Sequence, residues 1–160
     1  MAGEIDAWTD ALRAGRDQFE RTLARVPADQ LESPGAAGTW SVKDVLAHLT
    51  MRQTRVVTMM FQVERGGKAQ LIDAGQKQNE KDFADQKDRA LERVLADFRA
   101  VHGQLIRRAA AAGAPFFDAR KHAALGGRSL AQYVQEQTTA HEEAHRLEIE
   151  AWLERAGAGS

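Results

Sequence analysis

Apolar residues recur along most of this chain at intervals of three and four, the period of a helix with one buried face. Ile5, Trp8, Leu12, Phe19 and Leu23 form a first stripe and predict a helix from about Ile5 to Val26, stopped at Pro27. The stretch Ser33-Pro34-Gly35-Ala36-Ala37-Gly38 is rich in turn formers and reads as a loop. A second helix begins sharply after Ser41. The serine is a good N-cap, Asp44 stands three residues on in a capping-box position, and Trp40 precedes the cap where it can staple onto Val45. Its stripe runs Val45, Leu49, Val56 and Met60, and it should end near Gly66-Gly67. Leu71 and Ile72 suggest a short helical turn in the less patterned residues 68–80. A third long helix is expected from about Glu80 to Ala112, with Leu91, Val94, Leu95, Phe98, Val101, Leu105 and Ile106 as its stripe, ended by Gly113-Ala114-Pro115. After a loop from Phe116 to Arg128, in which Phe116 and Phe117 tuck under the bundle, Ser129 and Gln132 form a second capping box. The last helix then runs to about Ala156, its inward face reading Val134, Thr138, His141, His145, Ile149 and Trp152. The tail Gly157-Ala158-Gly159-Ser160 should fray.

No stretch alternates with period two, so no sheet is expected. Four long helices with one apolar stripe each predict an all-α four-helix bundle. At 160 residues the chain suits a single domain spanning 1–160, with its core between about 5 and 156. There is no cysteine, which excludes disulfides, thiolate metal sites and cysteine nucleophiles. The net charge of −1 and small basic clusters such as Arg107-Arg108 and Arg120-Lys121-His122 read as a solvated surface, so a nucleic-acid partner is not expected. No apolar run approaches the roughly 20 residues of a membrane span, and the first residues lack the pattern of a signal peptide, so a cytoplasmic protein without membrane contact is expected.

The candidate chemistry lies in His141-Glu142-Glu143-Ala144-His145. Residues four apart on a helix are about 6 Å apart along the axis and about 40° apart around it, so both imidazoles can reach one point. Neutral imidazoles suit divalent zinc, nickel or iron. A hydrogen-bonded or wet-surface pair is the plain alternative. His48, between Val45 and Leu49 on the second helix, supplies a third histidine aimed into the same bundle. Three protein ligands with an open position mark a catalytic rather than a structural metal site. His102 and His122 read as surface or capping residues.

The same five residues match the zinc-protease pattern His-Glu-x-x-His with Glu142 as general base, but only fifteen residues follow His145 to supply a further ligand. Glu142 and His145 make one Glu-x-x-His, half of a di-iron bundle site whose second half is missing. Around the triad, Arg52 lies one turn beyond His48 and is placed to meet an anionic group of a small-molecule substrate. Glu148, one turn past His145, is a candidate fourth ligand or a partner behind the ligand, and Glu142 is a further pocket candidate.

The segment Trp40-Ser41-Val42-Lys43-Asp44-Val45-Leu46-Ala47-His48-Leu49, followed downstream by His141 and His145, resembles the DinB/YfiT-like four-helix bundle superfamily over about Ile5 to Leu153. The resemblance implies an up-down-down-up bundle with long connections, a frequent homodimer, and His48, His141 and His145 as ligands of a divalent metal, zinc or nickel. Some members of that superfamily are thiol-dependent transferases or isomerases using mycothiol or bacillithiol. Gly127-Arg128-Ser129-Leu130-Ala131-Gln132-Tyr133-Val134, with Thr138 and His141 after it, is similar to the ClbS/DfsB branch. That branch is known for self-protection by hydrolysis of a reactive metabolite, and it commonly lacks a complete metal triad. Together these imply a metal-dependent transferase or hydrolase acting on a small molecule, with a low-molecular-weight thiol as possible second cofactor and a role in stress response or detoxification. The alternative they imply is a ClbS-like hydrolase or sequestering protein that uses no catalytic metal.

Overall fold

The computed structural model describes residues 2–158. Five α-helical elements carry the fold before the last rod is completed: α1 (Ala2–Ala24), α2 (Val42–Glu64), α3 (Gln76–Gln86), α4 (Leu91–Ala110) and α5 (Leu130–Gln135). A π-helical turn (Glu136–Ala140) joins α5 to α6 (His141–Ala158), and the backbone stays right-handed helical through both junctions, so α5, the π turn and α6 form one rod. No strand occurs among the described residues, only an isolated bridge between Ala37 and Trp40.

Two apolar clusters give the direction of each helix. One gathers Trp8 and Leu12 of α1, Val56 to Met60 of α2, Leu105 and Ala109 of α4, and Leu130 to Val134 of α5. The other gathers Phe19 and Leu23, Val42 to Leu49, Val94 and Phe98, and Ile149. The first rod therefore runs from the first cluster to the second, α2 and α4 run back, and the last rod runs forward again. This is the expected up-down-down-up, DinB-like bundle.

Local chemistry fixes the ends of α2. Ser41 Oγ accepts from the Asp44 amide at 3.1 Å, and Asp44 Oδ2 accepts from the Ser41 amide at 2.9 Å, the reciprocal capping box. At the other end Gly66 takes φ +89°, while the Gly67 amide donates to Gln62 O at 2.8 Å and the Gly66 amide to Val63 O at 3.0 Å. That is a Schellman stop, and it needs a residue without a Cβ penalty at the left-handed position. Ser129 and Gln132 repeat the capping box at the start of α5. Phe116 is buried, and Phe117 lies edge-on to Trp8 with ring centroids 5.5 Å apart, closing the end of the bundle.

The expected third helix is two helices. α3 ends at Gln86 and α4 starts at Leu91, with no glycine or proline between them. The break is tertiary in origin. Lys43 of α2 donates through Nζ to Lys87 O at 3.2 Å, capping the end of α3, and Arg55 of α2 grips Asp82 with two hydrogen bonds of 2.7 Å. α3 thus folds onto α2 instead of continuing into α4. Residues 68–74 form no helical turn. They cross as a strap, with the Ile72 amide donating to the Tyr133 hydroxyl at 2.7 Å. At the C-terminus Gly157 and Ala158 are helical rather than frayed, and Gly159 and Ser160 lie outside the described residues.

Candidate metal centre

Between the two apolar clusters lies a buried polar layer. Arg16 of α1, Gln53 of α2 and Glu142 of α6 are 4, 0 and 3 % exposed. Arg16 donates to Glu142 Oε1 from Nε at 3.0 Å and from Nη2 at 2.7 Å, to Phe98 O from Nη1 at 2.9 Å, and to Gln53 Oε1 at 3.0 Å. Gln53 also donates to Glu142, and the guanidinium lies 3.7 Å from the centroid of the Phe98 ring. Buried charges need pairing and hydrogen bonds on every side, and this network supplies both. It locks the rotation of α6 about its axis.

The residue before Glu142, about 100° round the helix from it, is thereby set against His48 of α2. His141 Nε2 stands 3.0 Å from His48 Nε2 and 3.2 Å from His145 Nε2, and one ligand atom from each ring lies within 4.8 Å of the others. The ring planes are steeply inclined to one another, so three nitrogens face a common point. Burial holds all three imidazoles neutral. It pushes His48 down to about 4 and His141 to about 3, with Arg52 and the other histidines adding to the effect. It also lowers His145, against the opposing pull of Glu148.

Hydrogen bonding alone cannot satisfy this arrangement. A ring nitrogen carries either one hydrogen or one in-plane lone pair. His141 Nε2 can therefore make one well-aligned bond, yet it has two nitrogen neighbours within 3.2 Å. With three ring nitrogens and only two states, at least two of the three are alike and cannot bond each other. A cation at the common point answers all three lone pairs together. Zinc–imidazole bonds of about 2.0–2.1 Å at tetrahedral angles place ligand nitrogens roughly 3.3 Å apart, close to the His141–His48 and His141–His145 separations, while the His48–His145 pair lies within 4.8 Å. Neutral nitrogen donors are also the right chemistry for zinc or nickel. The residues fit a divalent metal.

The surroundings are uneven. Nδ1 of His141 and Nδ1 of His145 are buried without a hydrogen-bond partner. Glu148 Oε1 approaches His145 Nδ1 to 3.1 Å, out of line with the ring N–H direction, so the contact is electrostatic and not a hydrogen bond. Trp40 packs on His48 with centroids 5.0 Å apart and stacks on Phe83 of α3 at an interplanar angle of 2°, giving the centre an aromatic wall. Arg52 is buried, donates to Gln137 Oε1 at 2.9 Å and exerts its charge on all three histidines.

Of the residues singled out from the sequence, His48, His141, His145 and Arg52 come together, Glu148 stands at the rim, and Glu142 turns away into the bundle to bind Arg16 and Gln53. His102 is half-buried rather than on the surface, and burial lowers it to about 4. Arg16, Gln53 and Gln137 escaped the sequence reading. Arg16 follows Leu12 and Gln53 follows Leu49 at helical spacing, so both are polar residues standing on apolar stripes, which was the available signal.

An all-helical bundle with three convergent histidines defines the class. Residues 12–150 match the mycothiol maleylpyruvate isomerase N-terminal domain family, and the chain belongs to that family, within the DinB/YfiT-like superfamily. No curated protein matches the chain. Its fold is similar to that of the colibactin self-resistance protein ClbS, crystallised in complex with double-stranded DNA, at 13 % identity and a TM-score of 0.76, covering 92 % of this chain and 93 % of that one. It is also similar to an uncharacterised protein from Escherichia coli UTI89, at 14 % identity and a TM-score of 0.75, covering 96 % and 94 %.

The ClbS complex corrects one expectation. Near-neutral net charge was read as excluding nucleic acid, but a protein of this fold has been crystallised with duplex DNA. Net charge sums over a whole surface, whereas phosphate contact needs only a local group of cations, so the sum does not exclude that partner. No described helix is long and apolar enough to cross a membrane.

Proposed function

We propose that His48, His141 and His145 hold one zinc or nickel ion, and that the protein is a metal-dependent enzyme transferring a low-molecular-weight thiol of the mycothiol type to a small electrophilic molecule. The observation that carries this reading is the convergence of three neutral Nε2 atoms that hydrogen bonding cannot satisfy. Membership of a family named for a mycothiol-linked isomerase supports the thiol. Detoxification of reactive electrophiles is the role such chemistry serves.

Bound there, the metal would lower the pKa of a thiol or water and so supply a nucleophile at neutral pH. The protein's own residues set the conditions. Burial keeps the three rings unprotonated, so their lone pairs are available without competition from protons. The stacked Trp40 and Phe83 rings shield one side of the centre from water. Glu148, beside His145, adds negative charge next to that ring. Glu142 acts at a distance, by fixing the face that α6 presents.

The test is elemental analysis of untagged protein purified without chelators. About one zinc or nickel per chain is expected, lost in His48→Ala and in His145→Ala while the helical circular dichroism persists. Metal-loaded protein should then consume mycothiol together with an electrophile. A folded wild-type protein that takes up no metal on titration would end this reading.

A further inference from the structure

Two arginines are buried in the bundle, and only one is paired. Arg16 grips Glu142 through its Nε and Nη2 edge. Arg52 is 8 % exposed, and among the described residues no carboxylate pairs with it. Its one hydrogen bond runs from Nη1 to Gln137 Oε1 at 2.9 Å, which leaves the Nε and Nη2 edge without a partner. The acids whose charge reaches it are already engaged. Asp82 is held by two hydrogen bonds from Arg55 and one from Gln78, and Asp73 accepts from the Gly75 amide. The Tyr133 hydroxyl accepts from the Ile72 amide. Arg55 adds repulsion, and the three histidines offer no negative charge.

A largely buried cation with no anion beside it favours one from outside, and its free nitrogens keep enough solvent contact for one to reach them. The free edge is the fork that can bind a carboxylate through two N–H groups, and Arg16 turns the same Nε and Nη2 groups on a carboxylate within the same bundle, both onto Oε1 of Glu142. Arg52 also stands in register with the metal centre. His48 faces His141 across α2 and the last rod, and one turn along the same two rods Arg52 faces Gln137. On α2 that turn is about 6 Å.

We propose that Arg52, with its guanidinium steadied by Gln137, is the anchor for a carboxylate group on the small molecule handled at the histidine centre. The proposal rests on the metal-centre reading for the reacting end of that molecule, and adds to it the chemical class of the other end. A single molecule would place its reacting atom at the triad and its carboxylate one helical turn away. The π turn contributes by presenting Gln137 and His141 to α2 together.

The test uses cobalt(II)-loaded full-length protein, whose visible absorption reports thiolate binding, and two thiols of equal chain length, 3-mercaptopropionate and 3-mercaptopropan-1-ol. Wild type is expected to bind the carboxylate-bearing thiol about tenfold more tightly, the scale of one charged hydrogen-bonded contact. Arg52→Met should bring the two dissociation constants together, while holding cobalt at least as tightly, because a neighbouring positive charge has been removed. Equal binding of the two thiols to wild type overturns the proposal and needs no variant. A preference that survives in Arg52→Met also overturns it. Failure of cobalt to bind is a different result, since it removes the metal reading. The same pair is then compared by thermal shift on metal-free protein. Stabilisation by 3-mercaptopropionate alone, abolished in Arg52→Met, sustains the anchor, and its absence overturns it.

Discussion

Removing the Glu142 carboxylate tests whether the buried polar layer sets the structure of the bundle. In Glu142→Ala, Arg16, only 4 % exposed, would lose its two bonds to Oε1, and Gln53 would lose its acceptor, which leaves the guanidinium between α1, α2 and α4 without its counter-ion. Breaking a buried pair by deleting one partner costs about 3–5 kcal/mol, mostly from the charge left behind. A domain of this size has roughly 5–15 kcal/mol in total, so the loss is a large share. With a urea slope of about 2 kcal/mol per molar, the midpoint should fall by about 2 M. The assay is urea unfolding followed by far-ultraviolet circular dichroism, with chelator present so that metal plays no part. The double variant Arg16→Met/Glu142→Met removes both charges and keeps apolar volume, and should recover much of the loss. A Glu142→Ala cost below about 1 kcal/mol, or a double variant no better than the sum of its parts, would refute the claim that this pair governs the packing of α6.

Two further outcomes follow from the same fold. The buried histidines make the metal-free protein acid-sensitive: His48 and His102 are lowered to about 4 and His141 to about 3, so between the ordinary histidine value of 6.5 and about 4 the unfolded chain binds protons that the folded chain refuses. Each histidine that stays neutral then costs about 1.4 kcal/mol of stability per pH unit, so the melting temperature in chelator should drop steeply from pH 6.5 to pH 4 and hold level from pH 7 to pH 8; a flat profile below pH 6.5 would count against the burial of these rings. Gly15→Ala would normally strengthen a helix, but a Cβ there meets Thr139 Cγ2 at 2.7 Å, where α1 crosses the π turn. A loss of about 1–3 kcal/mol is expected, largely restored when Thr139→Ser removes that methyl, and a rise in melting temperature for Gly15→Ala alone would disprove the close approach.

The sequence by itself determined the all-helical class and the capped ends of the helices, though not the break between α3 and α4. Stripe periodicity and caps are local properties: Ser41 bonds Asp44, Ser129 bonds Gln132, and Gly66 stops α2, all within a few residues of chain. It also determined the candidate ligands, because His141 and His145 share a face by spacing alone and His48 lies beside an apolar stripe. Direction and partnership were decided by the tertiary structure. α3 separates from α4 because Lys43 and Arg55, distant in sequence, hold it against α2. Glu142, four residues from Thr138 and three from His145, reads as a pocket acid until Arg16 and Gln53 claim it. Arg52 reads as an arginine placed to meet an anionic substrate group, and only the bundle shows it buried beside Gln137 with no acid to answer its charge. Periodicity tells which residues face inward. Which of the inward polar groups find partners depends on contacts between helices, and there the long-range fold decides which charges are satisfied and which remain for a ligand.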